Sequence, residues 1–395
     1  MRAFFQGDGC DRPTRTDRMH RTLFLSVASC YNTGELYPPT AREKEEIALE
    51  LEQFLREATA QSGLPGNELP VAEYLQRAFA PYAQETSIDV MQNMIAHLPG
   101  EPGGPRVYIT AHMDEIGLCV TGMEADGCLR FTQMGGVDSR ILPGSEVRVL
   151  CDPPLLGVVG AKPPHLLSDA DRKKNYKRED LYVDVGYSPE EVARRVQIGD
   201  RIQLVGPLTQ LADNRLAAKT MDDRACIAIL YLAAQQLARV RHAADIYLVC
   251  ATQEEVGSRG ALTSCYAIDP DIGIAIDVTH GTTPGCKPDE THPLDKVVFS
   301  RGPNLHPKLL DAMLRTAAEQ NVQTEVSICP HSTWTDAEVV QISRAGVPTV
   351  LMELPLKYMH TTVETCSADT LREAARLLTA YCASLGTDWR DALCY

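Results

Sequence analysis

Four runs of apolar residues, at 106–111, 246–250, 271–276 and 348–354, most narrow what this chain can fold into. Each is too short for a buried helix, rich in β-branched residues, and apolar at consecutive positions rather than alternate ones. Such a strand has no face to show to water. Between the runs lie helical patterns, among them 225–237, which is apolar on nearly every side, and 307–320, where Leu310, Met313, Leu314 and Ala317 align. Strands of this kind alternating with helices predict a mostly parallel sheet covered by helices on both faces, an α/β fold.

The segment 116–206 reads differently. Short alternating runs at 118–120, 129–131, 147–150, 157–159, 181–185 and 202–205 are separated by Gly, Pro and Asp turns, which predicts an inserted small β-barrel-like domain. A charged tract at 169–180 fits a surface loop inside it. The α/β domain is then expected over 40–115 and 207–395. Residues 1–39 are polar and irregular and form an N-terminal extension. Its apolar patch at 23–28 lies too far from Met1, and is too short, for an ordinary signal peptide.

Composition removes several classes of function. A net charge of -15 over 395 residues argues against nucleic acid, whose phosphates need clustered Lys and Arg. No apolar run reaches the roughly 18 residues of a membrane span. The 13 cysteines are scattered without paired spacing, and most sit in apolar runs as reduced thiols do, so a cytoplasmic setting is expected.

Chemistry-bearing residues gather where the strands end. The run 106–111 stops on His112-Met113-Asp114-Glu115, the run 246–250 leads into Glu254-Glu255, the run 271–276 into Asp277, and the run 348–354 into the loop of His360. In parallel sheets ligands bind beyond the carboxyl ends of the strands. By itself a Glu-Glu pair is usually a solvated turn, and a lone histidine a satisfied core group. Asp222-Asp223 precedes the apolar helix, where capping explains one aspartate and not both. Two histidines, the aspartates and two adjacent glutamates are too many donors for one tetrahedral site. They suit two divalent ions sharing a carboxylate, with one glutamate left over, and therefore hydrolysis of an amide or ester.

HMDEIG at 112–117, KTMDDR at 219–224, ATQEEVGSRGA at 251–261, AIDV at 275–278 and the His360 loop resemble, in order, the motifs of the M42 metallo-aminopeptidases. These are the tetrahedral aminopeptidases of the dinuclear zinc exopeptidase clan. The resemblance runs from about residue 40 to about 386. It implies that His112 and Asp277 bind one metal, Glu255 and His360 the other, and that Asp222 bridges both. Glu254 would be the general base, Asp114 the carboxylate that orients His112, and the Asp222-Asp223 peptide would be cis. It further implies two divalent metal ions per subunit, zinc or alternatively cobalt, short peptide substrates, an inserted domain that makes dimers, and a homo-oligomer in which such dimers assemble to a dodecamer.

The departures fall around the substrate pocket. His360 is followed by Thr361-Thr362-Val363-Glu364 where the family usually has Ser-Pro. Lys357 stands for an arginine, Arg301-Gly302-Pro303 for Lys-Gly-Pro, and Trp334 occupies a position where glycine is commoner. Two other readings remain at this level. Paired carboxylates also serve glycoside hydrolases, although adjacent residues do not flank a sugar ring. A non-catalytic scaffold of the same fold is the other.

Overall fold

The structure is a computed structural model that describes the backbone of residues 41–393 and the side chains of 49–391 and 393. The extension 1–39 and its apolar patch lie outside the described residues. Two helices, α1 (Ala41–Ala60) and α2 (Leu69–Phe79), lead into β1 (Glu85–Ile88), β2 (Met94–Leu98) and β3 (Arg106–His112). Six strands follow: β4 (Gly117–Met123), β5 (Leu129–Met134), β6 (Glu146–Val149), β7 (Leu155–Ala161), β8 (Leu181–Asp184) and, after α3 (Pro189–Arg195), β9 (Arg201–Leu204). The chain returns through β10 (Thr209–Gln210), β11 (Arg215–Ala218), α4 (Met221–Leu237), β12 (Asp245–Ala251), α5 (Arg259–Ile268), β13 (Ile272–His280) and β14 (Val297–Arg301). It ends with α6 (Pro307–Glu319), β15 (Thr324–Ile328), α7 (Ala337–Gln341), β16 (Thr349–Leu356), β17 (Glu364–Ser367), α8 (Ala368–Ser384) and α9 (Trp389–Leu393).

The four apolar runs become the centre of an eight-stranded sheet ordered β1-β2-β12-β3-β13-β16-β14-β15. The central strands β12, β3, β13 and β16 are mutually parallel, and antiparallel neighbours flank them on both sides. One face, with Ile109, Leu248, Ile274 and Met352, packs on the buried helices α4 and α8. The other, with Tyr108, Val249 and Ala251, packs on Ala261 and Cys265 of α5 and Val340 of α7. Burial on both sides is why these strands read as continuous apolar runs. Ala225, Ala228, Ala233 and Ala234 keep α4 thin enough to lie against the sheet, while Ile227 and Leu230 fill the core. Truncating Leu230 to alanine would leave a cavity costing about 2–5 kcal/mol.

All six runs of the inserted segment become strands of one closed barrel, ordered β4-β5-β8-β7-β6-β9. Leu118, Phe131, Val147, Val149, Val183 and Ile202 fill it. Closure leaves the barrel without free edges. The charged tract is an exposed loop with short 3-10 turns.

In one place the structure departs from the sequence reading. Asp277 lies within β13 and not past its end, because β13 outruns its pairing with β3 at Ala275 and continues along β16 to His280. Strands β14 and β15, at the sheet's far side, carry Ser300, Thr324 and Glu325 and lack the unbroken apolar run of the central strands.

Candidate metal centre

The site is assembled by backbone register. Ala251, the last residue of β12, pairs with His112, the last of β3, so Glu254 and Glu255 emerge beside His112. Asp222 and Asp223 stand at the start of α4 in non-helical conformations, joined by a cis peptide. His360 is on the loop that joins β16 to β17. Each of the three ligand-bearing loops carries non-glycine residues at positive φ: Thr220 at 57°, Gln253 at 56°, Tyr358 at 60° and His360 at 61°. Such residues cost roughly 1–3 kcal/mol each and persist only where surrounding contacts over-determine them.

Three buried carboxylates hold the main chain around the site. Asp114 accepts from the N–H groups of Glu254 (2.9 Å) and Glu255 (3.2 Å). Asp223 accepts from the N–H of His112 at 3.1 Å. Glu364 accepts from the N–H of Asp222 at 3.0 Å and of His360 at 2.7 Å, and so ties the α4 turn to the β16–β17 loop.

Within this frame the side chains converge. Nε2 of His112 lies 3.1 Å from Oδ1 of Asp222 and 3.9 Å from Oε2 of Glu254. Nε2 of His360 lies 3.2 Å from Oδ2 of Asp222 and 3.3 Å from Oε1 of Glu255. The two oxygens of Asp222 therefore face two different histidines. Donor atoms of His112, Asp222 and Glu255 lie within 4.8 Å of one another, and so do those of His112, Asp223 and Asp277. Asp114 sits 3.5 Å from Nδ1 of His112, beyond a good hydrogen bond, and its shorter contacts are the two N–H groups already given.

Carboxylates crowded around two imidazoles are electrostatically incomplete alone. Burial raises Asp277 and Asp223 well above the carboxylate range. Burial also pushes Glu254 up to about 9; His112 opposes that shift, and Asp336, Glu255 and Asp114 add to it. Burial would lower His360, yet Asp222 and Glu255 hold it up at about 11. Asp222 is driven far down, because His112 and His360 outweigh its burial. Nδ1 of His112 and Oδ1 of Asp223 are buried without a hydrogen-bond partner. Crowded oxygen and imidazole donors that would otherwise need protons to coexist are what divalent cations require, so the donor set fits such ions.

All seven residues singled out from the sequence, His112, Asp114, Asp222, Glu254, Glu255, Asp277 and His360, meet in this one cluster. Four others join them. Asp223 enters the second donor group, Glu364 ties two loops, Asp336 is buried against Thr110 at 3.2 Å, and the carbonyl of Gly136 in the barrel lies 3.0 Å from Nδ1 of His360. Only the doubled aspartate was a local signal for any of them. The other three act across more than 100 residues of sequence or through the main chain, and leave no spacing to read.

Comparison with known proteins agrees with this geometry. Residues 92–377 match the family model described as M42 glutamyl aminopeptidase. The chain is 36% identical over 336 residues to the lysyl aminopeptidase of Pyrococcus furiosus, covering 83% of this chain and 95% of that one. Among solved structures, an aminopeptidase from the archaeon Desulfurococcus kamchatkensis superimposes with a TM-score of 0.82 at 30% identity, covering 88% of this chain and 98% of the other. The TET1 peptidase of Pyrococcus horikoshii, which can assemble into a tetrahedron or a large octahedral shell, does so with a TM-score of 0.74 at 28% identity, covering 85% and 100%. Sequence motifs, fold and donor cluster lead to one conclusion: the chain belongs to the M42 family and is a metallo-aminopeptidase.

Proposed function

We propose that this enzyme removes amino-terminal residues from short peptides at a centre of two divalent cations, with Glu254 as general base. The observation that carries the reading is Asp222, whose two carboxylate oxygens face His112 and His360 at 3.1 and 3.2 Å, as a shared ligand must. His112 and Asp277 would hold one ion and Glu255 and His360 the other, with zinc favoured by the mixed imidazole and carboxylate donors and cobalt the alternative. When bound, the ions would polarise the scissile carbonyl and acidify the attacking water. Glu254, 3.9 Å from His112, is free to take the water's proton and pass it to the departing amine. Asp114 fixes the loop that presents Glu254 and Glu255. Burial of the cluster excludes competing solvent and strengthens each of these interactions.

A glycosidase pair would stand on either side of a sugar ring, roughly 5–9.5 Å apart. The carboxylates here crowd around His112 within 4.8 Å, which favours cations instead. Division into a catalytic part over 40–115 and 207–395 and an inserted dimerisation barrel over 116–206, and assembly of dimers to a dodecamer, are supported by the closed barrel and by the shells formed by TET1 peptidase. Among the described residues no helix is long and apolar enough to cross a membrane. The unpaired described cysteines, Cys226, Cys250, Cys265, Cys366 and Cys382 among them buried, support a cytoplasmic setting.

Chelation followed by readdition of Zn²⁺ or Co²⁺ tests the reading on a panel of aminoacyl anilides. Activity must vanish and return with about two equivalents of metal per chain. Activity that survives chelation refutes it.

A further inference from the structure

The inserted barrel reaches the metal centre at the turn after β5. Strand β5 ends at Met134, which pairs with Gly117 at the start of β4, and the chain then turns through Gly135 and Gly136. The carbonyl of Gly136 lies 3.0 Å from Nδ1 of His360, 224 residues away. A carbonyl can only accept, so Nδ1 must carry the hydrogen. That fixes the imidazole with Nε2 turned to Asp222 and Glu255, the orientation a cation ligand needs.

The fit is close enough to require glycine. A Cβ on Gly136 would stand 2.5 Å from Nδ1 and 2.6 Å from Cε1 of His360. At Gly135, where φ is +74°, a Cβ would meet Cγ2 of Ile116 at 2.8 Å and Oε2 of Glu255 at 3.0 Å. The two glycines thus rest on two proposed ligands of the same ion. The turn is tied to the barrel, since Nε2 of Gln133 donates to the carbonyl of Val137 at 2.6 Å and the N–H of Val137 to that of Gly135 at 3.0 Å. His112 meets Asp114, Asp222, Asp223 and Glu254, all of which belong to the α/β part of the chain.

The geometry points to Gly135-Gly136 as a positioning element of the barrel for one of the two cation sites, the one formed by Glu255 and His360. Loading of that site then depends on how the barrel is seated, whereas the His112 and Asp277 site does not. This rests on the two-cation reading above, and the test separates the two claims.

Metal-free protein is titrated with Zn²⁺ by calorimetry, and bound zinc is counted after gel filtration, for the wild type, Gly136→Ala, Gln133→Ala and Gly122→Ala. Wild type should bind two equivalents. Gly136→Ala should keep one site unchanged and lose about 10–100-fold in affinity at the other. Gln133→Ala loosens the turn without adding bulk and should weaken the same site. Gly122→Ala has room for a methyl group, 3.9 Å from Cβ of Arg130, and should match wild type. With His360→Ala as background, Gly136→Ala should cause no further loss at either site. Two equal equivalents in both Gly136→Ala and Gln133→Ala overturn the inference and leave the two-cation reading intact. Fewer than two equivalents in the wild type sink that reading and the inference with it.

Discussion

Replacing Glu115 by glutamine should destabilise this protein far more than its distance from the proposed chemistry suggests. Glu115 is 1% exposed. Oε1 accepts from the N–H of Gly63 at 2.9 Å and from Nε2 of Gln203 at 2.8 Å. Oε2 accepts from Nζ of Lys219 at 2.5 Å, and Nη2 of Arg224 stands 3.4 Å from Oε1. Arg224 is wholly buried and spends its other donors on the carbonyls of Ala58, Gln61 and Met113. Burial would raise the Glu115 carboxyl, but Lys219 and Arg224 hold it below its usual value. Burial draws Lys219 down to about 8, with Glu115 resisting. One carboxylate therefore balances two cations and joins α1, the end of β3, β9 of the barrel and the approach to Asp222. Truncating a buried pair on one side costs about 3–5 kcal/mol, against a total stability of about 5–15 kcal/mol. Urea unfolding of the metal-free variant should show that loss, and Lys219→Met in the same chain should recover part of it. A loss below about 1 kcal/mol would refute the assignment of this cluster as the junction's main electrostatic tie.

Two further outcomes follow from buried carboxylates. In Glu364→Gln one of the two N–H groups, of Asp222 or of His360, loses its acceptor. This should cost about 1–3 kcal/mol and weaken cation binding by tenfold or more, read by calorimetric titration. Burial pushes Glu353 up from 4.5 to about 7, with Ser300 and Thr279 opposing. A carboxyl raised in the folded state contributes its stability in full below pH about 4.5 and loses it as the pH rises through about 7, a difference of about 3 kcal/mol at about 1.4 kcal/mol per pH unit. Unfolding midpoints of the metal-free protein between pH 4.5 and 8 should decline across that window, and Glu353→Gln should flatten the decline.

The central sheet was legible because burial on both faces forces unbroken apolar runs, and Tyr108-Ile109 and Leu351-Met352 have no polar alternation to confuse with a surface strand. The barrel was legible for the opposite reason: Leu118 and Val120 point inward, with a less buried Cys119 between them. The donor cluster could be read because His112 closes its strand and Glu254-Glu255 and His360 follow theirs. Asp114 lies past the end of β3, and its carboxylate accepts from the N–H groups of Glu254 and Glu255, a main-chain contact that residue type does not show. Glu364 and Gly136 act on main chain or by main chain over long separations, and residue type alone carries no trace of that.

Glu254→Gln tests the account most directly, since glutamine keeps the shape of the side chain and cannot accept the proton. The variant should still bind two equivalents of Zn²⁺ with affinities near wild type while kcat on aminoacyl anilides falls by about 10²–10⁴. Turnover within a few-fold of wild type, with both ions bound, would contradict it.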